Sequence, residues 1–201
     1  MKDIIITISR EFCSGGRVIA ETVAMELGIP FYDRKLIELA AEKSGLSPEF
    51  IEHNENQPPS SFLYGLAING KGGYGFQETP IGDRAFFAQA DAIREIASKG
   101  GCVIVGRCAG YILRDDPHLM NVFLHAPLET RLQRARELYG MTGDDLAERL
   151  TRVDKGRRNY HKNYTGENWN DMRCYDLCIN TAKVGVEGAA RAILAAIGYR
   201  G

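Results

Sequence analysis

One stretch near the beginning of the chain restricts the possible folds more than any other. Residues 4–8 are a run of β-favouring side chains, a polar loop closed by glycines follows at residues 9–15, and apolar side chains then recur at helical spacing from Val18 to Val23. This order predicts a strand, a loop and a helix. A run this apolar is typical of a strand covered by helices on both faces of a parallel sheet, and such sheets bind ligands at the carboxyl ends of their strands.

The predicted loop has the chemistry of an anion site. The first N–H groups of a helix have no partner inside the helix, and the helix dipole places partial positive charge on them. Gly15 and Gly16 let the backbone approach a ligand closely, while Ser14 and Arg17 add a hydroxyl and a cation. We therefore predict a phosphate site, and the alternative at this point is an ordinary glycine turn that opens a helix.

The phosphate-binding P-loop has the pattern G-x-x-x-x-G-K-[ST], and the chain departs from it. With Gly16 in the second glycine position, Glu11 replaces the first glycine, Arg17 replaces the lysine and Val18 replaces the hydroxyl residue. Arginine can bind phosphate in place of lysine, but valine cannot ligate magnesium. The loop therefore predicts phosphate binding with a weakened magnesium site.

Strand and helix patterns alternate along the rest of the chain. Glycines, prolines and N-capping residues separate the segments, and no internal repeat is visible. Five strands with intervening helices predict an α/β fold with an open, mainly parallel sheet and right-handed crossovers. The predicted strands are 4–8, 30–32, 102–105, 119–124 and 175–179, and the helices after the first are 34–44, 46–56, 82–99, 128–139, 144–160 and 186–197.

The overall composition excludes several classes of protein. The chain has 201 residues, enough for one core and short for two, so a single domain is expected. Its 25 basic and 26 acidic residues leave a formal charge of −1, which provides no general attraction to nucleic acid or to an anionic membrane. No stretch is long and apolar enough to span a bilayer, and no signal peptide is visible, so a cytoplasmic protein is expected.

The cysteines and histidines predict neither disulfides nor a metal centre. The odd number of cysteines, five, without a C-x-x-C pair, is typical of reduced thiols in a core. The four histidines are scattered, with none at ligand spacing from a cysteine, so no metal site is predicted. Cys13 is either a small filler or, because it lies in the predicted phosphate loop, a thiol with a lowered pKa.

Several polar residues outside the loop have both a functional and a structural interpretation. Asp33 precedes a helix, so it is either an N-cap or an acidic group that orients a substrate or a magnesium-bound water. Lys71, in the glycine-rich loop 69–76, either touches a phosphate when the loop closes or is solvated. A basic segment is either a solvated helix face or a phosphate clamp. It contains Arg149, Arg152, Lys155, Arg157, Arg158, His161 and Lys162.

Four short motifs occur in order along the chain. They are S-G-G-R at residues 14–17, Y-D at 32–33, G-R-C-A-G-Y at 106–111 and D-K-G-R-R-N-Y at 154–160. Together they resemble the cytidylate-kinase-like family, a branch of the P-loop nucleoside monophosphate kinases. The resemblance implies a three-layer P-loop NTPase fold with a five-stranded parallel sheet and a helical lid. It also implies one kinase-like domain over residues 1–201, with an acceptor-side insert at about 34–81 and the lid at about 142–173.

The same resemblance implies an activity and a set of roles. The activity is transfer of the γ-phosphoryl group of ATP to a nucleoside monophosphate or another small-molecule acceptor, with Mg²⁺ present. Such chemistry requires a phosphate cradle, groups that hold the acceptor and a cationic lid. The implied roles are donor-phosphate binding by Ser14, Gly15, Gly16 and Arg17, a place beside the donor nucleotide for Arg131, acceptor binding by Asp33 and Arg107, and catalysis by Arg17, Asp154 and Arg157.

The family pattern is not kept at every position, so other functions stay open. Cys108 stands where cytidylate kinases have an aspartate, and the cytosine-reading residues are not carried over. A nucleotide-binding regulatory module or a pseudokinase, with the fold but no turnover, is therefore the alternative. A dinucleotide-binding dehydrogenase is disfavoured, because the G-x-G-x-x-G fingerprint is absent and the loop 9–15 is too long for its tight turn.

Overall fold

A single sheet of five parallel strands forms the centre of the molecule in the computed structural model, which describes residues 3–54 and 81–199. The strands are β1 (Ile5–Arg10), β2 (Phe31–Tyr32), β3 (Cys102–Val105), β4 (Leu119–His125) and β5 (Leu177–Asn180). Their spatial order is β2-β3-β1-β4-β5, and all four pairings are parallel. The predicted α/β fold with a five-stranded parallel sheet is therefore confirmed. The predictions for the loop 69–76 and for Lys71 lie outside the described residues.

Helices cover both faces of this sheet. No helix in the two described ranges combines the length and the apolar character that a bilayer crossing requires. The helices are α1 (Gly16–Leu27), α2 (Arg34–Ser44), α3 (Pro48–Asn54), α4 (Ile81–Ser98), α5 (Ala109–Ile112), α6 (Leu128–Tyr139), α7 (Leu146–Thr165) and α8 (Thr181–Ala196), with a 3₁₀ turn at Met172–Cys174.

Alternate residues of β1 belong to two different cores. Ile6 and Ile8 pack with side chains of α1 and α8 on one face, and Ile5 packs with α2 and α4 on the other. Each of these three isoleucines is at most 2% exposed. Because helices cover both faces, β1 has no polar alternation, which explains its continuous apolar sequence.

The central position of β1 determines where a ligand site can form. β1 pairs with β3 on one side and with β4 on the other. The chain that leaves β1 therefore emerges between the carboxyl ends of its two neighbours, the place where open α/β sheets bind ligands. The loop 11–15 after β1, Asp33 after β2 and the turn 106–108 after β3 all leave this edge of the sheet.

The helix α7, which we call the lid helix, continues beyond the predicted end at Tyr160 and stops at Thr165. Its last two turns pack on α4, where the rings of Tyr164 and Phe86 stack with centroids 4.3 Å apart. Tyr164 is 2% exposed, so this burial stabilises the extra turn although its sequence is largely polar. Gly166, with φ of 75°, then ends the helix in the left-handed conformation.

Two other boundaries differ from the predictions for tertiary reasons. β1 extends to Arg10 rather than Ile8, because Ser9 and Arg10 continue the pairing with β4. α8 begins at Thr181 and is interrupted at Gly185, whose φ is 73° and ψ is 179°. The predicted start at Val186 is therefore the start of the second segment of this helix.

Candidate active site

The loop between β1 and α1, residues 11–15, presents an uncapped helix N-terminus at the edge of the sheet. Gly15 precedes α1 with φ of 89° and supplies no side-chain cap. The first N–H groups of α1 are thus left without a side-chain cap from the preceding residue, which is the condition for anion binding at a helix start. We call residues 11–17 the phosphate loop.

An ion pair behind the phosphate loop holds its backbone in place. The N–H of Phe12 donates to Oδ1 of Asp154 at 2.7 Å, and the C=O of Phe12 accepts from Nη1 of Arg131 at 3.2 Å. Asp154 and Arg131 also bond each other, with Nη1 2.5 Å from Oδ2. Both residues are less than a tenth exposed. Arg131 and Asp154 therefore support the loop from behind.

A second pair of residues holds the next peptide of the loop. The C=O of Ser14 accepts hydrogen bonds from Nη1 of Arg134 at 2.9 Å and from the hydroxyl of Thr181 at 2.7 Å. The hydroxyl of Ser14 is itself buried and has no hydrogen-bond partner among the described residues. No sequence pattern indicated Thr181, because it contacts the loop only through the fold.

Glu11, at the position of the first P-loop glycine, has a structural role. Its Oε2 accepts from the backbone N–H of Ala126 at 3.0 Å and lies 3.5 Å from Nε of Arg131. The carboxylate thus joins the phosphate loop to the start of α6. This departure from the P-loop pattern is explained by a bond that glycine could not make.

Cys13 is the small filler of the two alternatives raised by the sequence. It is 6% exposed and packs with Leu132, Leu146 and Leu150. Burial raises the pKa of its thiol, and this effect outweighs the opposing charges of Arg131 and Arg157. The alternative of a lowered pKa is therefore wrong.

Arg17 lies on the outer side of α1. Its side chain is 57% exposed, its Nε bonds Oε1 of Glu21 at 3.1 Å, and its Nη1 is 3.9 Å from Oδ2 of Asp33. The hydrogen bond to Glu21 is the largest of the contacts that raise the pKa of Arg17. Arg17 is therefore a charged residue at the rim of the site, partly engaged by its own helix.

Asp33 is surrounded by guanidinium groups rather than bonded to a helix terminus. It stands at the N-cap position of α2, but its side chain makes no capping hydrogen bond. Its carboxylate lies 3.9 Å from Arg10, 3.9 Å from Arg17 and 3.7 Å from Arg107. Of the two interpretations of Asp33, the structure therefore supports a place in a charged site and not the cap.

Arg107 reaches this cluster from a strained turn after β3. Gly106, Arg107 and Cys108 have φ of 78°, 53° and 55°, three consecutive left-handed residues of which two have a Cβ. Such conformations cost about 1–3 kcal/mol each and persist where the surrounding structure imposes them, often at functional sites. The turn directs Arg107 inward, and its side chain is 8% exposed.

A cavity of about 320 Å³ lies at the end of β1, where Ser9 and Arg10 line it just before the phosphate loop begins, and we call it the basic cavity. Burial lowers the pKa of His161 in its wall to about 4, so this imidazole is neutral near pH 7. The lining within the described residues contains four arginines and one acid, which favours an anionic ligand. The lining residues are Ser9, Arg10, Asp33, Arg34, Gly106, Arg107, Cys108, Val153, Arg157, Tyr160, His161 and Trp169.

The basic segment of the lid helix divides into two sides. Arg157 faces inward, where Nη1 donates to the C=O of Arg10 at 2.9 Å and the guanidinium lies 5.4 Å from the ring of Phe12. The neighbouring Arg158 is exposed. Arg152, Lys155 and Lys162 are exposed as well, and Arg149 is half-buried. Most of the basic segment is therefore a solvated face, and Arg157 and His161 are its residues at the basic cavity.

The structure thus separates the predicted site residues into two groups. Asp33, Arg107 and Arg157 line the basic cavity, with Arg17 beside Asp33, whereas Arg131 and Asp154 lie behind the phosphate loop. Arg10 and Arg34 also line the cavity, and neither belongs to a motif of the sequence. A lone arginine at the end of a strand or the start of a helix carries no motif.

The residues at this edge offer magnesium few oxygen ligands. Val18, in the position of the P-loop hydroxyl residue, has no oxygen to donate. The carboxylates of Glu11 and Asp154 bond backbone N–H groups, and Asp33 lies among guanidinium groups. The two described ranges contain no group of three or more potential metal-ligating side chains. The described residues therefore do not fit a magnesium ion held by protein side chains alone.

Comparison with known proteins gives a consistent family match. The model of the cytidylate kinase-like family matches residues 5–183. A cytidylate kinase from Pyrobaculum aerophilum is 28% identical over 192 residues, which are 94% of this chain and 89% of that protein. A cytidylate kinase from Pyrococcus horikoshii is 30% identical over 105 residues, 52% of this chain and 54% of that protein. In this and similar matches the chain spans about half the length of the curated relatives.

Solved structures share the same architecture. An uncharacterized protein from Eubacterium ventriosum superposes with a TM-score of 0.73 at 30% identity, over 98% of this chain and 99% of that one. A shikimate kinase from Bacteroides thetaiotaomicron superposes with a TM-score of 0.53 at 14% identity, over 97% of this chain and 98% of that one. The second likeness concerns the fold alone.

Proposed function

This chain belongs to the cytidylate kinase-like family, and we propose that it transfers the γ-phosphoryl group of ATP to a nucleoside monophosphate or a similar small phosphorylated acceptor. The observation that carries the proposal is the basic cavity at the end of β1, next to the start of the phosphate loop, which four arginines and one aspartate line. Phosphoryl transfer brings two phosphorylated molecules together, so its site must neutralise more negative charge than a single phosphate carries.

The donor side of the proposed site is the phosphate loop. The uncapped N–H groups at the start of α1 donate hydrogen bonds to the oxygens of the donor phosphates. Arg131 and Asp154 act through the loop, because their contacts to Phe12 fix the backbone that meets the donor. They are positioning residues in this proposal.

The acceptor side of the proposed site is formed after β2 and β3. Arg107 is charged, mostly buried and directed into the cavity, which suits a bidentate grip on the acceptor phosphate. Asp33 neutralises part of the arginine charge while the cavity is empty of substrate and holds the guanidinium groups in position. Cys108 occupies the place of the family's aspartate, so the family's cytosine-reading residues are not carried over to this chain.

In the proposed reaction, the bond from the γ-phosphorus to the bridging oxygen of ATP breaks and a bond to an acceptor oxygen forms. The protein contributes position and positive charge, because little covalent chemistry is required of it. Arg157 contacts both the end of β1 and the ring of Phe12 and lines the basic cavity. In this proposal its positive charge therefore lies beside the phosphoryl group that is transferred.

The proposal is tested with the purified chain, ATP, magnesium and a panel of nucleoside monophosphates. We expect equal amounts of ADP and the phosphorylated acceptor, measured by separation of the nucleotides. Arg107→Gln should abolish most of this turnover, whereas Arg114→Gln, an exposed arginine after α5, should not. Nucleotide binding without product from any acceptor would contradict the kinase proposal and support the regulatory-module alternative.

A further inference from the structure

The side chain of Arg10, the last residue of β1, runs through the narrow space between Gly16 and Gly106, which we call the glycine passage. A Cβ on Gly16 would lie 2.7 Å from Cγ and 2.8 Å from Cβ of Arg10, and a Cβ on Gly106 would overlap its Nη1. Neither distance is possible for a real side chain, so any larger residue at 16 or 106 would displace Arg10. Gly16 begins α1 and Gly106 follows β3, and both therefore leave space for one arginine.

The backbone of Arg10 is fixed as firmly as its side-chain path. Arg10 pairs with Leu124 in the sheet, and its C=O accepts the hydrogen bond from Nη1 of Arg157. The guanidinium emerges in the basic cavity, where Nη2 lies 3.9 Å from Oδ1 of Asp33. Arg10 thus enters the cavity from the central strand, directly beside the phosphate loop.

Arg17 occupies the motif position of the P-loop lysine but is less suited to the lysine's role. Its side chain is 57% exposed against 19% for Arg10, and its Nε is bonded to Glu21. The two arginines approach opposite oxygens of Asp33, Arg10 at Oδ1 and Arg17 at Oδ2. A guanidinium with less water around it interacts more strongly with a phosphoryl group. The inner cation of this pair is Arg10.

We propose that Arg10, rather than Arg17, is the catalytic cation that contacts the phosphoryl group during transfer. This inference rests on the proposed kinase function and names a residue of the same site. Arg10 stays protonated throughout and donates hydrogen bonds to the phosphoryl oxygens, so no proton is gained or lost by the protein. Gly16, which the chain keeps from the P-loop pattern, then leaves space for the side chain of Arg10.

The test compares Arg10→Gln with Arg17→Gln, since both remove one guanidinium beside Asp33. In the nucleotide assay, Arg10→Gln should lower kcat by about 100-fold or more with a smaller change in KM for ATP. Arg17→Gln should lower kcat by less than Arg10→Gln does, the exposed control Arg114→Gln should leave kcat unchanged, and Arg10→Lys should recover part of the activity. Thermal unfolding of each variant verifies that it is folded. Loss of turnover in Arg17→Gln, with turnover retained in Arg10→Gln, would overturn the assignment and leave the kinase function standing.

A binding measurement keeps the inference testable if the wild type turns over no acceptor. Titration calorimetry with inorganic tripolyphosphate, a probe without base or sugar, should then show weaker binding to Arg10→Gln than to Arg17→Gln. Equal affinities for the two variants would overturn the role of Arg10. Failure of turnover in the wild type, with the expected difference in tripolyphosphate binding, would contradict the kinase function and retain Arg10 as the phosphate-binding cation.

A glycine variant supplies an independent readout of the passage. Gly106→Ala and Gly28→Ala both place a Cβ at a positive φ, of 78° and 63°, but a Cβ at 28 meets nothing within 4 Å. Both substitutions should lower the melting temperature, and only Gly106→Ala should lower tripolyphosphate affinity, because it displaces Arg10. Unchanged tripolyphosphate affinity in a folded Gly106→Ala variant would show that the space at Gly106 does not determine the position of Arg10.

Discussion

Asp154 in the lid helix and Phe12 in the phosphate loop are joined by a hydrogen bond of 2.7 Å, with the backbone N–H of Phe12 as donor. The C=O of Phe12 accepts a hydrogen bond from Arg131, which is the ion-pair partner of Asp154. One buried ion pair thus holds both backbone groups of Phe12. The lid helix is therefore attached to the loop by a contact that requires no ligand, and the pair preorganises the loop.

The first prediction concerns this ion pair. Asp154→Asn keeps an acceptor for the N–H of Phe12 but leaves the guanidinium of Arg131 buried without its strongest partner. Removal of one member of a buried pair is costly, and we expect the free energy of unfolding to fall by about 3 kcal/mol, measured by urea denaturation.

The matched control for this variant is Asp91→Asn, which breaks an exposed pair with Arg94 on α4. Exposed pairs contribute little, so this change should lower the free energy of unfolding by less than about 1 kcal/mol. An equal decrease in the free energy of unfolding in the two variants would show that the buried pair of Asp154 and Arg131 stabilises the fold no more than the exposed pair does.

The second prediction separates two adjacent arginines of the lid helix. Arg157 lines the basic cavity and donates to the C=O of Arg10, whereas the adjacent Arg158 is exposed. We expect Arg157→Ala to reduce turnover by about 100-fold or more, with a small change in melting temperature, and Arg158→Ala to leave both nearly unchanged. Steady-state kinetics and thermal unfolding measure these effects. Equal turnover in Arg157→Ala and wild type would remove Arg157 from the proposed machinery.

The sheet was predictable because its strands are short apolar runs. Ile4–Ile8 and Cys102–Val105 have the continuous hydrophobicity that strands need when helices cover both faces. Helix α7 was predicted too short, because the contact that extends it, Tyr164 on Phe86, joins residues far apart in the chain. Local sequence therefore predicts that elements exist, and tertiary packing sets several of their ends.

The candidate site was predictable only where residues form motifs. Asp33 and Arg107 belong to short patterns, and both lie at the basic cavity. Arg10 belongs to none, since its place depends on glycines at 16 and 106 that meet only in the fold. The functions of Glu11 and Thr181 were not predictable for the same reason, because each bonds a backbone group distant in sequence.

The third prediction follows from the buried imidazole of His161. Burial lowers the pKa of His161 from 6.5 to about 4, although Oε2 of Glu167 lies 3.8 Å from its Nε2. In the unfolded chain His161 binds a proton near pH 6.5, whereas in the folded chain it binds one only near pH 4. The free energy of unfolding is therefore retained above pH 6.5 and falls as the pH decreases from 6.5 to 4. The loss from this residue amounts to about 3 kcal/mol at pH 4.

Urea denaturation of wild type and His161→Gln over this pH range measures the effect. The variant lacks the titrating group, so its free energy of unfolding should improve relative to wild type as the pH falls. His118→Gln, at a histidine whose side chain is 58% exposed, is the control for replacing a histidine at the surface. Parallel curves for wild type and His161→Gln would contradict the lowered pKa.

The last prediction concerns magnesium and the position of Val18. Val18 lies in the first turn of α1, is 44% exposed and stands where the P-loop pattern has a hydroxyl. Without that oxygen, and with Asp33 held among arginines, the protein has little means to favour the magnesium complex of ATP over free ATP. We expect the dissociation constant of ATP, measured by calorimetry, to differ by less than about tenfold between magnesium and EDTA. Val18→Thr supplies the hydroxyl and should make magnesium strengthen ATP binding, whereas Val18→Ala, which adds no oxygen, should behave like wild type. A wild type that binds ATP only with magnesium would show that other oxygens hold the ion, and a Val18→Thr variant without new magnesium dependence would show that residue 18 does not face the phosphates as the motif requires.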